Sequence, residues 1–271
     1  MKNLKKDLKT RYPAVKREDD KFVSSSLMEG YISVRSVIEG QSTCDNDRKV
    51  LKVYFDSERK SARYKELSYL NSKSKELGFE IVETDKDFLD SKTLSSSHGG
   101  IIAECSDRTI PELTEKSIID NGFYVYLEGI EDPYNFGYCI RSIYAAGADG
   151  IILSPRNWMT AAGVVCRASA GASELSRMYV CEPEQSIAMF KNKGYKCIAS
   201  DKTKDAVSSY DADLRKPVLL AIGGERRGLS QNVLINCDQT VVIDYGRNFK
   251  AALSAASAAT ILAFEIRSQN R

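Results

Sequence analysis

A single histidine, His98, in 271 residues leaves almost no imidazole for a metal site or a proton relay. The cysteines at 44, 105, 139, 166, 181, 197 and 237 include no Cys-x-x-Cys pair, so no structural zinc or other resident metal is expected. Their number is odd and several stand in apolar segments, which reads as reduced thiols packed as small hydrophobes. Phosphate-cradling signatures are missing too. No Gly-x-Gly-x-x-Gly follows a strand and no glycine loop ends in Gly-Lys-Ser/Thr, which argues against dinucleotide oxidoreductases and P-loop enzymes. No apolar run approaches the roughly 20 residues that cross a bilayer, and Met1-Lys2-Asn3-Leu4-Lys5-Lys6 lacks the apolar segment of a secretion signal. A cytoplasmic protein without a membrane partner is therefore expected. Strong charge of one sign is also lacking: the net charge is +2, so any nucleic-acid partner has to be met by local clusters.

Such clusters are present. Seven basic residues against the single acid Asp7 lie between Lys2 and Arg17, and residues 1–21, broken at Pro13, read as a basic arm. Further groups occur at Arg59, Lys60, Arg63 and Lys65 and at Arg226 and Arg227. From 22 to 107 the pattern predicts a small α/β domain: a helix through Leu27 to Val37, a strand over 50–55, a helix over 64–77, a strand over 79–82, a short helix near Phe88 and Leu89, and a strand over 101–105. His98 reads as a loop histidine that fixes the entry to that last strand by hydrogen bonding. Residues 108–119, with Pro111 and mixed charges, read as a linker. Residues 120–271 predict strands at 124–127, 150–153, 178–181, 196–199, 218–222 and 240–243 alternating with helical or loop segments, the pattern of a mainly parallel sheet covered on both faces.

Three stretches of this second domain carry chemistry. In Tyr134-Asn135-Phe136-Gly137-Tyr138-Cys139-Ile140-Arg141, a polar turn at Asn135 and Gly137 is expected ahead of an apolar helical stretch that holds one arginine. Asn135 fits either an N-cap or an amide that orients a neighbouring group. In the second stretch, the apolar run Val218 to Ile222 leads into Gly223-Gly224-Glu225-Arg226-Arg227-Gly228, whose glycines allow close backbone approach to a ligand and whose one acid is Glu225. The third is the strand Thr240-Val241-Val242-Ile243 followed by the Ala-rich helical run from Leu253 to Leu262.

Asn-Phe-Gly-x-x-x-Arg, Gly-x-Glu-x-x-Gly and the strand with its Ala-rich helix, in this order, resemble the three signatures of SpoU/TrmH-type SPOUT RNA 2′-O-ribose methyltransferases. Arg167-Ala168-Ser169-Ala170-Gly171-Ala172 resembles a further family segment, so the likeness covers nearly all of residues 120–268. Ser97-His98-Gly99-Gly100-Ile101 resembles the end of the substrate-recognition domain that precedes many of these catalytic domains. The resemblance implies an N-terminal α/β RNA-recognition domain, then an α/β domain with a mainly parallel sheet and a C-terminal trefoil knot. It implies S-adenosyl-L-methionine as cofactor, RNA as substrate with ribosomal RNA expected before transfer RNA, and a homodimer paired through helices beside the cofactor site. It places Arg141, Asn135 and Glu225 in the catalytic centre and Gly223, Ile243 and Leu253 against the adenosine part of the cofactor. An arginine guanidinium stabilises a developing ribose alkoxide on chemical grounds alone, whereas its use as the base is implied only by the resemblance. Where the family has Ile-Pro-Met this chain has Ile243-Asp244-Tyr245, and where it has Ser-Leu-Asn it has Ala252-Leu253-Ser254. Those departures leave a second reading, a catalytically weakened or inactive RNA-binding module of the same fold.

Overall fold

The computed structural model describes residues 26–44, 46–93, 98–155 and 161–271; the basic arm lies outside them. The N-terminal unit is built on a four-stranded mixed sheet of order β1-β4-β2-β3. Its elements are β1 (Leu27–Glu29), α1 (Tyr31–Thr43), β2 (Val50–Asp56), α2 (Tyr64–Leu77), β3 (Glu80–Thr84), α3 (Lys86–Lys92) and β4 (Ile101–Cys105). The helix expected over 27–37 is corrected at its start. Leu27 and Met28 add to the edge of β4 as an antiparallel strand, Leu27 opposite Glu104 and Met28 opposite Ala103. Gly30 then turns the chain into α1, which runs on to Thr43. Two apolar residues ahead of a helix fit its period equally well, and only the pairing with β4 decides for the strand. His98 is buried at the entry to β4: the Gly100 N–H donates to its Nδ1 at 3.1 Å, and its Nε2 lies 2.9 Å from Asp90 Oδ1. The ring therefore carries its proton on Nε2 and ties α3 to the strand entry.

The second unit holds a seven-stranded sheet of order β7-β6-β5-β10-β8-β11-β9 in which every pairing is parallel. In chain order its elements are β5 (Phe123–Glu128), α4 (Pro133–Ala145), β6 (Gly150–Leu153), α5 (Ala162–Ala168), α6 (Ala172–Leu175), β7 (Met178–Val180), α7 (Pro183–Asn192), β8 (Lys196–Ser200), β9 (Val207–Ser208), β10 (Val218–Gly223), α8 (Gln231–Asn236), β11 (Gln239–Val242) and α9 (Ala255–Gln269). Alternation along the strands divides the core. Phe123, Val125 and Leu127 of β5 and Val218, Leu220 and Ile222 of β10 face α4 and α9. Tyr124, Tyr126, Leu219 and Ala221 face the layer of Ile187, Phe190 and Val233 from α7 and α8. Both faces being covered, the strands are nearly continuous apolar runs. β9 has two residues, too few for a sequence pattern to mark, and β11 stops one residue before Ile243.

The start of α4 differs from the expected polar turn at Asn135 and Gly137. Asp132 is the N-cap, accepting a hydrogen bond from the Asn135 N–H at 2.8 Å, and Pro133 opens the first turn. Asn135 is thus inside the helix, which frees its amide from capping. Gly137 is not a turn residue either. A Cβ there would stand 2.6 Å from Ala168 Cβ, so the glycine lets α4 and α5 pack closely.

The two units meet across a buried polar contact. Glu174 Oε2 takes the Asn46 Nδ2 at 2.8 Å and the Arg48 Nε at 3.2 Å. Arg108, buried, donates to the carbonyls of Ser173 and Ser176. Ala162 and Cys166 of α5 lie in the same apolar cluster as Val34, Val37 and Phe55 of the N-terminal unit. The segment between the units is docked rather than loose: Leu113 and Ile118 are buried, and Glu112 bridges to Val180 at the edge of the parallel sheet.

Candidate active site

Parallel sheets open their ligand sites at the carboxyl ends of the strands, and the three motif stretches leave the sheet at that end. The β10 run delivers Gly223 and Gly224 beside the end of β5, where the Gly224 N–H donates to the Glu128 carbonyl at 2.7 Å. The loop closes on itself through the Gly228 N–H and the Gly224 carbonyl at 2.9 Å. A side chain at Gly223 would overlap the backbone of Gly228 and Leu229, and one at Gly224 the carbonyl of Gly129, so this tight loop needs both glycines. The Ser230 N–H donates to Glu128 Oε2 at 2.8 Å and fixes the loop's exit.

This loop presents Glu225 to two partners far away in sequence. Its Oε1 accepts the Asn135 Nδ2 at 3.0 Å and the Ala255 N–H at 3.2 Å. The latter is a first-turn N–H of α9, one of the donors that a helix cannot satisfy internally and that favour a carboxylate. Ser254 caps the same helix, accepting the Ser257 N–H at 3.1 Å. One carboxylate therefore joins α4, the glycine loop and α9.

Two cavities flank that carboxylate. The larger, about 610 Å³, is lined by Gly223, Ile243 and Leu253 together with Tyr245, Phe249 and Ala255. The smaller, about 340 Å³, is lined by Gly129 to Pro133, Asn135, Glu225, Arg226 and Ala255. Glu225 and Ala255 belong to both. The three residues expected against a cofactor thus share the larger cavity, and two of the three expected catalytic residues, Asn135 and Glu225, are hydrogen-bonded to each other and line the smaller one. Arg141 stands apart. It is exposed, lines neither cavity, and has no ion-pair partner among the described residues. It lies six residues along α4 from Asn135, about 9 Å of helix rise.

Sequence reasoning missed Asp132, Tyr245 and Phe249. The pair Asp132-Pro133 is itself a helix-start signal, a capping acid followed by proline at the first helical position. Tyr245 and Phe249 carried no motif signal: Tyr245 stands where the family pattern has another residue, and Phe249 lies between the motif segments.

The larger cavity suits an adenosine linked to an amino acid. It combines apolar side chains, the glycine-loop backbone, acids at Asp201 and Asp244, and cations at Lys202, Arg247 and Lys250. The cysteines offer no competing chemistry. All seven are free, and burial pushes Cys139, on the buried face of α4, up to about 12, far from the thiolate range needed for a nucleophile.

A model of the SpoU rRNA Methylase family matches residues 122–264. The chain belongs to that family. A 23S rRNA (guanosine-2′-O-)-methyltransferase, RlmB, of Shewanella oneidensis is 30% identical over 212 residues, covering 76% of this chain and 85% of the relative. A mitochondrial rRNA methyltransferase 1 of Schizosaccharomyces pombe is 29% identical over 223 residues, with 69% and 74% covered. Among solved structures, the SpoU methyltransferase AviRb of Streptomyces viridochromogenes superposes with a TM-score of 0.71 over 93% of this chain and 96% of its own, at 22% identity. An rRNA methyltransferase of Sinorhizobium meliloti gives 0.72 over 94% and 96%, at 20% identity. Both likenesses extend through the N-terminal unit and are likenesses of fold. No described helix is long and apolar enough to cross a membrane.

Proposed function

We propose that the protein is an S-adenosylmethionine-dependent RNA 2′-O-methyltransferase acting on ribosomal RNA in the cytoplasm. The observation that carries this reading is the meeting of Asn135, Glu225 and the start of α9 between two cavities, one suited to the cofactor and one open to a nucleotide. Relatives named as rRNA methyltransferases, and an AviRb structure in complex with AdoMet, support it. When bound, S-adenosylmethionine supplies an electrophilic methyl group. Gly223, Ile243 and Leu253 would hold its adenosine part in the larger cavity. Glu225 keeps the glycine loop, Asn135 and α9 in one arrangement, so that a ribose entering the smaller cavity meets a fixed geometry, which contributes much of the rate in a displacement of this kind. Arg141 stabilises the alkoxide that develops as the 2′-hydroxyl attacks.

Arg141 reaches that position in a homodimer. Helices α4 and α9 pack on each other and leave Tyr134, Tyr138, Tyr144 and Phe264 exposed; aromatic exposure on this scale marks a contact surface. Pairing through this face encloses Arg141. Residues 22–107 read RNA shape, residues 1–21 add contacts to phosphates, residues 108–119 connect, and residues 120–271 carry the chemistry with the chain end threaded as a trefoil knot. Ser254 caps α9 and so orders the start of that helix.

The test is methyl transfer from S-adenosylmethionine to ribosomal RNA, read by mass spectrometry of nuclease digests. A 2′-O-methyl nucleoside is expected with the wild-type protein. Arg141→Ala is expected to abolish it while cofactor affinity stays within a few-fold, and unchanged turnover in that variant removes Arg141 from the mechanism. Cofactor affinity without any transfer to RNA would favour the inactive binding module. Sedimentation tests the dimer: a monomer at micromolar concentration rejects it.

A further inference from the structure

The loop between β11 and α9 departs from the family pattern and brings two aromatic rings to the larger cavity. Tyr245 is 36% exposed and Phe249 53% exposed. Their centroids are 6.0 Å apart with ring planes at 52°, and both line the cavity with Ile243 and Leu253. No other aromatic side chain lines it among the described residues. Neither ring is buried in the core, although rings of this size are usually covered in a folded chain.

Their positions are set by the loop itself. The Tyr245 hydroxyl accepts the Leu253 N–H at 3.0 Å, joining the start of the loop to its end. The Phe249 N–H donates to the Arg247 carbonyl at 2.8 Å, a tight bend that turns Phe249 back toward Tyr245. The charged groups of the cavity, Asp201, Lys202, Asp244, Arg247 and Lys250, surround an apolar aromatic patch. A flat heterocycle joined to a sugar and a charged tail matches that distribution, since every nucleobase offers a π-face to an aromatic ring.

We propose that Tyr245 and Phe249 form an aromatic platform for the adenine of the cofactor, one ring stacking on its face and the other, inclined to it, meeting its edge, with the Tyr245 hydroxyl holding the platform in place through Leu253. The assignment rests on the S-adenosylmethionine reading given above. It adds two aromatic residues, Tyr245 and Phe249, to Ile243 and Leu253 in the grip of this loop on a nucleoside.

Calorimetry with S-adenosylhomocysteine and with adenosine tests it. Phe249→Leu keeps apolar bulk but removes the π-face, and is expected to weaken both ligands by about 10-fold; Tyr245→Leu with Phe249→Leu is expected to reach about 100-fold. Tyr245→Phe keeps the ring and loses the hydroxyl, so its loss is expected to stay below that of Tyr245→Leu. Equal losses for Tyr245→Phe and Tyr245→Leu would show that only the hydroxyl tether matters and would overturn the platform. Wild-type binding with unchanged affinity in the Leu variants overturns this assignment alone. A wild-type protein that binds neither ligand overturns the cofactor reading and the platform with it. Circular dichroism melts of each variant establish that the fold is retained.

Discussion

Glu174 and Glu225 each gather two donors from segments remote in sequence, but they do so in opposite surroundings. Glu174 is 4% exposed and its partner Arg48 0% exposed, where two units of the molecule meet. Glu225 stands exposed at the mouth of two cavities, tied to the Asn135 amide and the Ala255 N–H. Removing a buried carboxylate strands a guanidinium in low dielectric, and the loss far exceeds the value of one hydrogen bond. Removing an exposed one lets water take over its donors, and stability changes little. The first carboxylate therefore holds the fold and the second orders the site, and the difference in solvent access is what separates the two roles.

Breaking the buried side of that contrast should give the largest effect. Glu174→Ala is expected to cost about 3–5 kcal/mol in urea unfolding, while Glu174→Ala combined with Arg48→Met should recover part of the loss because no unpaired charge remains. Next is Gly171, at φ +84° just before α6, where a side chain would overlap Ser36 of α1. Gly171→Ala is expected to cost about 1–3 kcal/mol from crowding and backbone strain, read in the same assay. Glu225→Ala should shift stability by about 1 kcal/mol or less yet lower methyl transfer by at least about 10-fold through lost positioning. A fall in stability as large as that of Glu174→Ala would erase the contrast.

The smallest effect separates core thiols from solvent. Burial raises Cys105, Cys139 and Cys197 from 9.0 to about 12. The unfolded chain ionises these thiols from about pH 9 upward and the folded chain only near 12. Their stabilisation is therefore complete below pH 9 and is lost as pH rises through that window. Unfolding midpoints measured from pH 9 upward are expected to decline, and the decline should weaken in Cys105→Ala, Cys139→Ala or Cys197→Ala. A native thiol titration at pH 8 should find these three unreactive.

The parallel sheet was legible because strands covered on both faces are short apolar runs, such as Val218 to Ile222, with nothing but turns and helices between them. β1 escapes the sequence pattern because Leu27 and Met28 satisfy a helical period as well as a strand edge. β9 is too short to leave a pattern. The motif stretches could be located, and Gly223, Ile243 and Leu253 do line one cavity, since loops at strand ends are fixed by topology. The separation of Arg141 from that cavity was hidden, because it depends on the rotation of α4 about its axis. The junction at Glu174 was equally hidden: its partner Arg48 lies 126 residues away, and no local pattern marks so distant a pair. Tyr245 reads in the sequence only as a departure from a motif and Phe249 as a loop residue, and it is the lining of the cavity that brings them together.

The strand order has a consequence for how the chain comes together. β10 sits between β5 and β8, yet it is made after both, so until residue 223 is available each of those strands carries an open row of backbone donors and acceptors. Chains halted before that point should aggregate through these unpaired edges, whereas the N-terminal unit, whose sheet is complete by Cys105, can form while the rest is still being synthesised. Even once β10 is in place, β8 keeps one edge open until β11 is made.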